Sequence, residues 1–126
     1  MTKDTDRRIA VQAEILYLSN LLLLPGLAFA ALLWLAHRHK NSGAALALCH
    51  LRQTIYASLW AGILLLLVAL AIIYLGGFRS PYTWMVLLLY FICCHSMLIL
   101  FGVAGLARAM AGLCYVYPLP GSKRWQ

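Results

Sequence analysis

Residues 82–107 read YTWMVLLLYFICCHSMLILFGVAGLA and contain no Asp, Glu, Lys or Arg. A helix of roughly 20 residues crosses the ~30 Å of bilayer hydrocarbon. Residues 15–36 and residues 55–75 are two further uncharged runs of that length. In hydrocarbon, a helix satisfies its own backbone hydrogen bonds. The sequence therefore predicts an all-α, polytopic membrane protein with about three transmembrane helices.

The composition also favours a membrane location. Of the 126 residues, 64% are hydrophobic and 10% are charged, whereas soluble domains are about half apolar and about a quarter charged. A domain of this length has too little interior to bury the excess apolar surface. His37-Arg38-His39-Lys40 follows the first run and is typical of a stop-transfer flank, not of a signal-peptide cleavage site. We expect the first run to stay in the mature protein.

The predicted spans divide a single transmembrane domain, residues 1–126, into seven parts. These are a polar N-terminal tail (1–12), the first span (13–37), a basic loop or interfacial helix (38–53), the second span (54–76), a loop (77–82), the third span (83–112) and an extended C-terminal tail (113–126). Pro25 removes one backbone donor within the first span and crowds the carbonyl of Leu21. We therefore expect a kink at Pro25-Gly26, with Asn20 near enough to bond the loosened backbone.

The Lys and Arg residues predict the orientation, because cytoplasmic segments are enriched in them. The first loop and the C-terminal side hold Arg38, Lys40, Arg52, Arg108, Lys123 and Arg124. The N-terminal tail and the second loop hold Lys3, Arg7, Arg8 and Arg79. This small difference favours a bacterial inner (cytoplasmic) membrane protein with a cytoplasmic C-terminus and an N-terminus outside. Lipid headgroups, and not nucleic acid, are the expected partners of the net charge of +7.

The string Cys93-Cys94-His95-Ser96-Met97 holds residue types that bind soft metal ions. On a helix, Cys93 and Met97 share a face while His95 points about 200° away from Cys93, so the string alone does not enclose a metal ion. A haem with two histidine ligands would need, besides His95, a second histidine at the same depth, and the other histidines lie near the first loop. We therefore predict no metal and no cofactor.

A polar side chain inside a membrane is costly unless it has a partner. We expect a neutral His95 that donates a hydrogen bond across helices, to the carbonyl of Leu21 if the first and third spans run parallel. The hypothesis predicts that His95→Leu is much less stable in detergent. The chain has four cysteines, Cys49, Cys93, Cys94 and Cys114. Their spacing matches neither a CxxC motif nor a disulfide framework, which favours free thiols acting as small hydrophobic side chains.

The spans contain no series of carboxylates or basic residues for a proton or ion path. Ser19 and Ser58 have no base at a useful spacing, so we predict no enzymatic activity. Small residues recur at helical spacing in the pairs Ala57 and Ala61, Ser58 and Gly62, Gly102 and Gly105, and Gly105 and Ala109. Such spacing lets helices approach closely in lipid. It indicates either packing within this chain or docking onto another membrane protein.

Three segments together carry a family resemblance. They are Leu24-Pro25-Gly26, Cys49-His50-Leu51-Arg52-Gln53, and the closing set Ala109, Gly112, Tyr115 and Pro118. They resemble the small Tic20-like family of bacterial membrane proteins, named after a chloroplast inner-envelope import component. In that family a phrase like Phe-His-Ala-Arg-Gln enters the second helix, and a phrase like Ala-x-x-Gly-x-x-Tyr-x-x-Pro closes the last. This chain departs from the pattern at Cys49 and Leu51.

The resemblance implies a helical inner-membrane protein and implies little about activity. At the membrane edge, His50 and Gln53 are placed to tie the first loop to the end of the third helix, or simply to cap an interfacial helix. We expect a non-catalytic accessory or assembly subunit that packs against a larger inner-membrane complex, or self-associates, among membrane lipids. The alternatives are a small channel or translocation-related oligomer and, third, a redox subunit that binds haem or copper through His95.

Overall fold

The computed structural model describes residues 2–121 and residue 123. Its helices are α1 (Lys3–Leu22), α2 (Leu27–His39), α3 (Ala45–Gly62), a π-helical segment (Ile63–Leu67), α4 (Val68–Gly76) and α5 (Pro81–Met110). No β-strand occurs among these residues, so the prediction of an all-α protein is confirmed. Of the predicted tails, Met1, Ser122 and residues 124–126 lie outside the described part.

Local sequence signals set several helix ends. Thr2 caps α1, where its Oγ1 accepts a hydrogen bond from the Thr5 backbone N–H at 3.2 Å. Pro81 opens α5 in the first turn, where its missing N–H leaves no bond unmade. α4 ends at Gly76 because Gly77 has φ +83°, a conformation that favours glycine.

Two helices are long and apolar enough to cross a membrane. One is the continuous helix Ala45–Gly76, formed by α3, the π-helical segment and α4, and the other is Pro81–Met110. Their most apolar windows are only 6% and 11% buried within the chain. A core helix of a soluble protein would be mostly buried, so this exposed apolar surface favours lipid as the surrounding solvent.

The first apolar run is not one continuous helix, because residues 23–26 divide it into α1 and α2. Ile9 of α1 and Leu35 of α2 pack in the same buried cluster. In a single straight helix these two residues would be about 39 Å apart. α2 therefore turns back along α1 as a helical hairpin. The predicted kink in a continuous span, and with it the count of three spans, is not confirmed.

The physical reason lies in the turn. Gly26 has φ +89°, which reverses the chain at little cost only for glycine, and Pro25 has no N–H to continue a helical ladder. The N–H groups of Leu23 and Leu24 both donate to the Ser19 carbonyl, at 2.9 and 3.0 Å. The Gly26 N–H donates to Asn20 Oδ1 at 3.0 Å. The predicted contribution of Asn20 thus takes the form of a side-chain bond that closes the turn.

The tip of this hairpin reaches the middle of the two long helices. Asn20 and Pro25 line one groove together with Gly62 and His95. Gly62 lies near the midpoint of Ala45–Gly76, and His95 lies near the midpoint of Pro81–Met110. Leu23, at the tip, is 76% exposed. If the two long helices span a bilayer, the α1–α2 hairpin enters it to about half depth and returns to the same side.

Both described termini lie at one end of the bundle. Asp6 Oδ1 accepts a hydrogen bond at 2.5 Å from the Ala47 N–H, near the start of α3. His50, one turn further on, contacts the Leu113 carbonyl just after α5. The α4–α5 loop, with Arg79, lies at the opposite end. This arrangement differs from the predicted placement of the termini on opposite sides of the membrane.

One pair of cysteines corrects the expectation of free thiols. Cys49 and Cys114 form a disulfide, with Cα atoms 6.0 Å apart. Cys93 and Cys94 are free. The spacing rule failed because the bond links α3 to the segment after α5, residues that are 65 positions apart and that only the tertiary fold brings together.

The long helix Ala45–Gly76 contains the π-helical segment Ile63–Leu67 near its midpoint. Such segments widen the helix by one residue and are frequent at functional sites. Tyr90 of α5 donates its hydroxyl to the Leu64 carbonyl at 2.6 Å. This hydrogen bond therefore holds the widened turn against α5, between two helices whose other contacts are mostly apolar.

Candidate functional site

A buried polar cluster lies between α1, α3 and the segment after α5. Glu14 shares one face of α1 with Ala10, Ala13 and Tyr17, at helical spacing, and none of the four has any exposed surface. His50 Nδ1 lies 2.6 Å from Glu14 Oε1. Tyr117 donates its hydroxyl to Glu14 Oε2. A carboxylate on the helix face that should be purely apolar is thus enclosed by two partners.

The proton positions in this cluster follow from its acceptors. His50 Nε2 lies 2.9 Å from the Leu113 carbonyl, which only accepts, so Nε2 carries a proton. His50 Nδ1 and Glu14 Oε1 share a single hydrogen bond at 2.6 Å. Burial raises the pKa of Glu14 above its ordinary value of 4.5, against the lowering effect of its bonds to His50 and Tyr117.

Tyr117 anchors the chain after α5 in this cluster. Its N–H donates to Gln53 Oε1 at 3.2 Å. Its ring packs edge-on against Tyr17 and Tyr115, at centroid distances of 5.3 and 5.0 Å. Burial, and then the charge of Glu14, raises the pKa of the Tyr117 hydroxyl, which therefore stays protonated as a donor. The described part of the predicted extended tail accordingly packs through Tyr117 as a strap against α1 and α3.

Glycines of α5 make room for the cluster. A Cβ at position 105 would lie 2.6 Å from Glu14 Oε2, and one at position 102 would lie 2.5 Å from Leu18 Cδ2. Gly102, Gly105 and Ala109 are all buried. This small-residue face therefore packs against α1 within the chain, the first of the two interpretations that the spacing left open.

The polar cluster is closed to substrates. Glu14, His50 and Gln53 have no exposed surface. Each of the three uses its polar atoms on partners within the chain, through the bonds described above. The acid and the base in contact therefore hold α1, α3 and the segment after α5 together.

The other predicted site residues lie in two parts of the bundle. Arg52 and Pro118 are exposed and Tyr115 is half-buried. Gly112, with φ +75°, directs the chain out of α5. Pro25 and Gly26 lie at the opposite end of α1, in the hairpin turn. The predicted set therefore forms two groups, one around Glu14 and one at the hairpin tip.

The second site is a groove of about 630 Å³ at mid-height of the bundle. It lies between the hairpin tip, the π-helical segment and α5, and its lining includes Pro25, Phe29, Ser58, Ile63, Phe91 and His95. Most of the lining is apolar. Leu66 and Leu67 also line it and are 66% and 60% exposed, so its mouth opens on the outer surface of the bundle.

Two polar atoms of this groove have no hydrogen-bond partner among the described residues. They are Ser58 Oγ and His95 Nδ1, and both atoms are buried. The His95 ring stacks on Phe91, with centroids 5.4 Å apart and an interplanar angle of 13°. The predicted bond to Leu21 is not made by His95 Nδ1, although both residues line this groove. The helices α1 and α5 are antiparallel and not parallel as that prediction assumed, since Gly105 lies beside Glu14 and Tyr17 bonds the Leu98 carbonyl at 3.2 Å.

The cysteine and methionine ligands proposed for a metal are not brought to His95. Cys93 and Met97 are exposed on the outer surface of α5, and Cys94 is half-buried. Within residues 2–121 and residue 123, no group of three or more His, Cys, Asp or Glu is arranged to hold a metal ion.

Sequence reasoning missed Glu14, Tyr17 and Tyr117 as site residues. One signal was available for Glu14, which stands at helical spacing among Ala10, Ala13 and Tyr17 although its neighbours on that face are apolar. An acid in such a position indicates a buried partner. Tyr117 carried no comparable signal, since it stands between two residues of the closing set, Tyr115 and Pro118, but is not one of them.

Comparison with known proteins identifies no relative, since no family model, no curated protein and no solved structure matches this chain. The class that the fold defines is an all-helical protein with two helices compatible with a membrane. The resemblance to the Tic20-like family stays a prediction.

Proposed function

We propose that this chain is a non-catalytic accessory subunit of the bacterial inner membrane, which packs against a larger membrane assembly and helps to stabilise or assemble it. The observation that carries the proposal is the unequal thickness of the bundle. The hairpin of α1 and α2 packs on α3, and α1 also packs on α5. Beyond the π-helical segment, α4 packs on α5 alone among the described elements and has no buried residue.

The part of the bundle that consists only of α4 and its neighbouring part of α5 is weakly held together in lipid. Helices associate there through close packing and not through the hydrophobic effect, because lipid tails are as apolar as the side chains. Leu70 and Leu75 of α4 are 60% and 84% exposed. Helices of a partner would pack against α4 and its part of α5, as α1 and α2 pack against the rest of the bundle. The closed polar cluster supports a role without catalysis.

The orientation that we propose differs from the sequence-based one. With two spans and a re-entrant hairpin, the basic residues near the N-terminus, the α2–α3 connection and the C-terminus share one side of the membrane. Arg79 is the single Lys or Arg at the other end of the described chain. The difference in the number of Lys and Arg residues between the two sides, which was small for three spans, is larger for two and favours the cytoplasm for both termini.

Site-specific photocrosslinking tests the partner proposal. p-Benzoylphenylalanine in place of Leu70 probes the α4 surface, and the same residue in place of Leu33, a 43% exposed position of α2, is the matched control. We expect one recurrent membrane protein to crosslink at position 70 and not at position 33, and to co-purify in mild detergent. Only lipid adducts, a crosslink to a second copy of the chain, or a lone monomer after gentle extraction would contradict the proposal.

A further inference from the structure

The mid-height groove has an unmet hydrogen-bonding capacity. Ser58 is only 5% exposed, yet its Oγ has no partner among the described residues. His95 Nδ1 is buried at the same groove and is also without one. Buried polar groups in an apolar medium cost free energy unless they are bonded. Two such atoms at one opening indicate a ligand that supplies the missing partner.

Depth restricts the ligand to weakly polar molecules. Ser58 and His95 lie near the midpoints of the two long helices, about 15 Å from either headgroup region of a ~30 Å hydrocarbon core. A phosphate, carboxylate or ammonium group would lose its hydration at that depth. Phospholipids and fatty acids therefore present only hydrocarbon here, which bonds neither atom. The ligand must carry a neutral acceptor or hydroxyl.

Shape restricts it further. The stacked rings of Phe91 and His95 form a flat wall. Gly62 faces open space, since a Cβ there would meet no atom within 4 Å, and the adjoining π-helical segment widens the helix. The volume of about 630 Å³ falls in the range of small-molecule sites. A planar head with an apolar tail fits these walls, and the mouth at Leu66 and Leu67 gives the tail access to lipid.

We infer that this groove binds a membrane-dissolved quinone, with a ring carbonyl hydrogen-bonded by Ser58 Oγ and His95 Nδ1. Both protein groups can donate to a carbonyl, and in their other orientation or tautomer both can accept from the hydroxyl of the reduced form. The ring packs against Phe91, and the tail leaves between the hairpin tip and the π-helical segment. The inference concerns binding alone, and it is independent of the accessory role because the crosslinking surface on α4 lies outside the groove.

The test uses the full chain in lipid nanodiscs and two probes. Decylubiquinone offers the ring, the carbonyls and a saturated tail, and decylbenzene offers a ring and a tail without carbonyls. The readouts are the midpoint of thermal unfolding at increasing probe concentration and the 15N chemical shift of the His95 imidazole. We expect decylubiquinone to raise the midpoint and shift the His95 signal, and decylbenzene to bind at least about tenfold more weakly.

Variants separate the groove from nonspecific partition into lipid. Ser58→Ala and His95→Phe each remove one hydrogen-bonding atom and keep an apolar or aromatic shape, and each is expected to weaken decylubiquinone binding by about tenfold. Gly62→Leu fills the open space and is expected to abolish binding. Ser96→Ala is the matched control, because Ser96 is exposed and does not line the groove.

Several outcomes would overturn the inference. Equal affinity for decylubiquinone and decylbenzene would mean that the groove accepts hydrocarbon only. Unchanged decylubiquinone binding in folded Gly62→Leu would place the ligand elsewhere, and equal weakening by Ser96→Ala would remove the role of the groove atoms. Competition by phosphatidylglycerol at equal potency would assign the site to ordinary lipid.

Discussion

His50 Nδ1 lies 2.6 Å from Glu14 Oε1, and neither side chain has exposed surface. Together with Tyr117, this pair joins α1, α3 and the segment after α5. His50→Leu leaves the Glu14 carboxyl with one partner fewer in a buried site. We expect a loss of about 3–5 kcal/mol in the free energy of unfolding, as for other broken buried pairs, measured by denaturant unfolding in detergent.

Two further variants test this interpretation of the pair. His37→Leu changes an exposed histidine and is expected to alter stability by less than about 0.5 kcal/mol. The double variant Glu14→Leu with His50→Leu removes both polar groups together, and we expect it to recover much of the loss. A single His50→Leu variant as stable as His37→Leu would contradict a structural role for the pair.

The acidity of Glu14 predicts a pH dependence of stability. Burial raises the pKa of Glu14 in the folded protein above 4.5, so the folded state holds a proton that the unfolded chain has released. Its contribution to stability is complete below pH 4.5 and is lost as the pH rises through the folded-state pKa. Unfolding midpoints measured across this interval should fall with pH in the wild type, and the decline should be absent in Glu14→Gln. Parallel profiles for the two proteins would refute the assignment.

Identical substitutions at two glycines separate packing from helix propensity. At position 105 a Cβ would meet Glu14 Oε2 at 2.6 Å, whereas at position 62 it would meet nothing within 4 Å. Gly105→Ala is expected to cost about 1–3 kcal/mol through overpacking. Gly62→Ala is expected to be neutral or to stabilise by up to about 1 kcal/mol, because alanine favours helix. Equal effects in thermal unfolding would show that α5 does not approach α1 this closely.

The two later spans could be predicted from sequence because a long uncharged run in lipid must form a helix to satisfy its backbone hydrogen bonds. The predicted third span, residues 83–112, and the helix Pro81–Met110 nearly coincide. The first run could not be resolved in this way. Pro25-Gly26 is compatible with a kink or with a reversal, and only the packing of Ile9 against Leu35 decides between them. Hydropathy indicates whether a segment lies in lipid or in water, but not whether the chain continues across the membrane or turns back.

The candidate site was less accessible to sequence reasoning for a related reason. His50 and Gln53 stood out through a motif, but Glu14, at the start of the predicted first span, was given no role. Its burial depends on the hairpin, which brings α1 into the bundle as a packed helix. His95 does lie near the midpoint of its helix and in one groove with Leu21, yet its Nδ1 makes no bond there, and sequence spacing cannot set the side-chain geometry that decides this.

The Cys49–Cys114 bond and the charge distribution predict opposite sides for the same end of the protein. The basic residues there favour the cytoplasm, where thiols are kept reduced. If our orientation holds, acid-quenched alkylation of intact cells should find both thiols reduced, and the disulfide should form after extraction without reductant. Cys49→Ser, which lacks the bond, is the control for the gel shift. A disulfide already present in intact cells would place this end, and both termini, outside.

His95→Leu discriminates between the two accounts of the groove. A histidine bonded across helices predicts a large loss of stability on substitution. In the structure, however, its buried Nδ1 has no partner within the described chain, so in quinone-free detergent the variant is expected to be more stable by about 1 kcal/mol. The matched control is His39→Leu, which loses a bond at 3.0 Å to the Leu35 carbonyl and should not gain. If His95→Leu lost more stability than His39→Leu, His95 would already have a partner in the folded protein. Its Nδ1 would then not be an unsatisfied atom that favours a ligand.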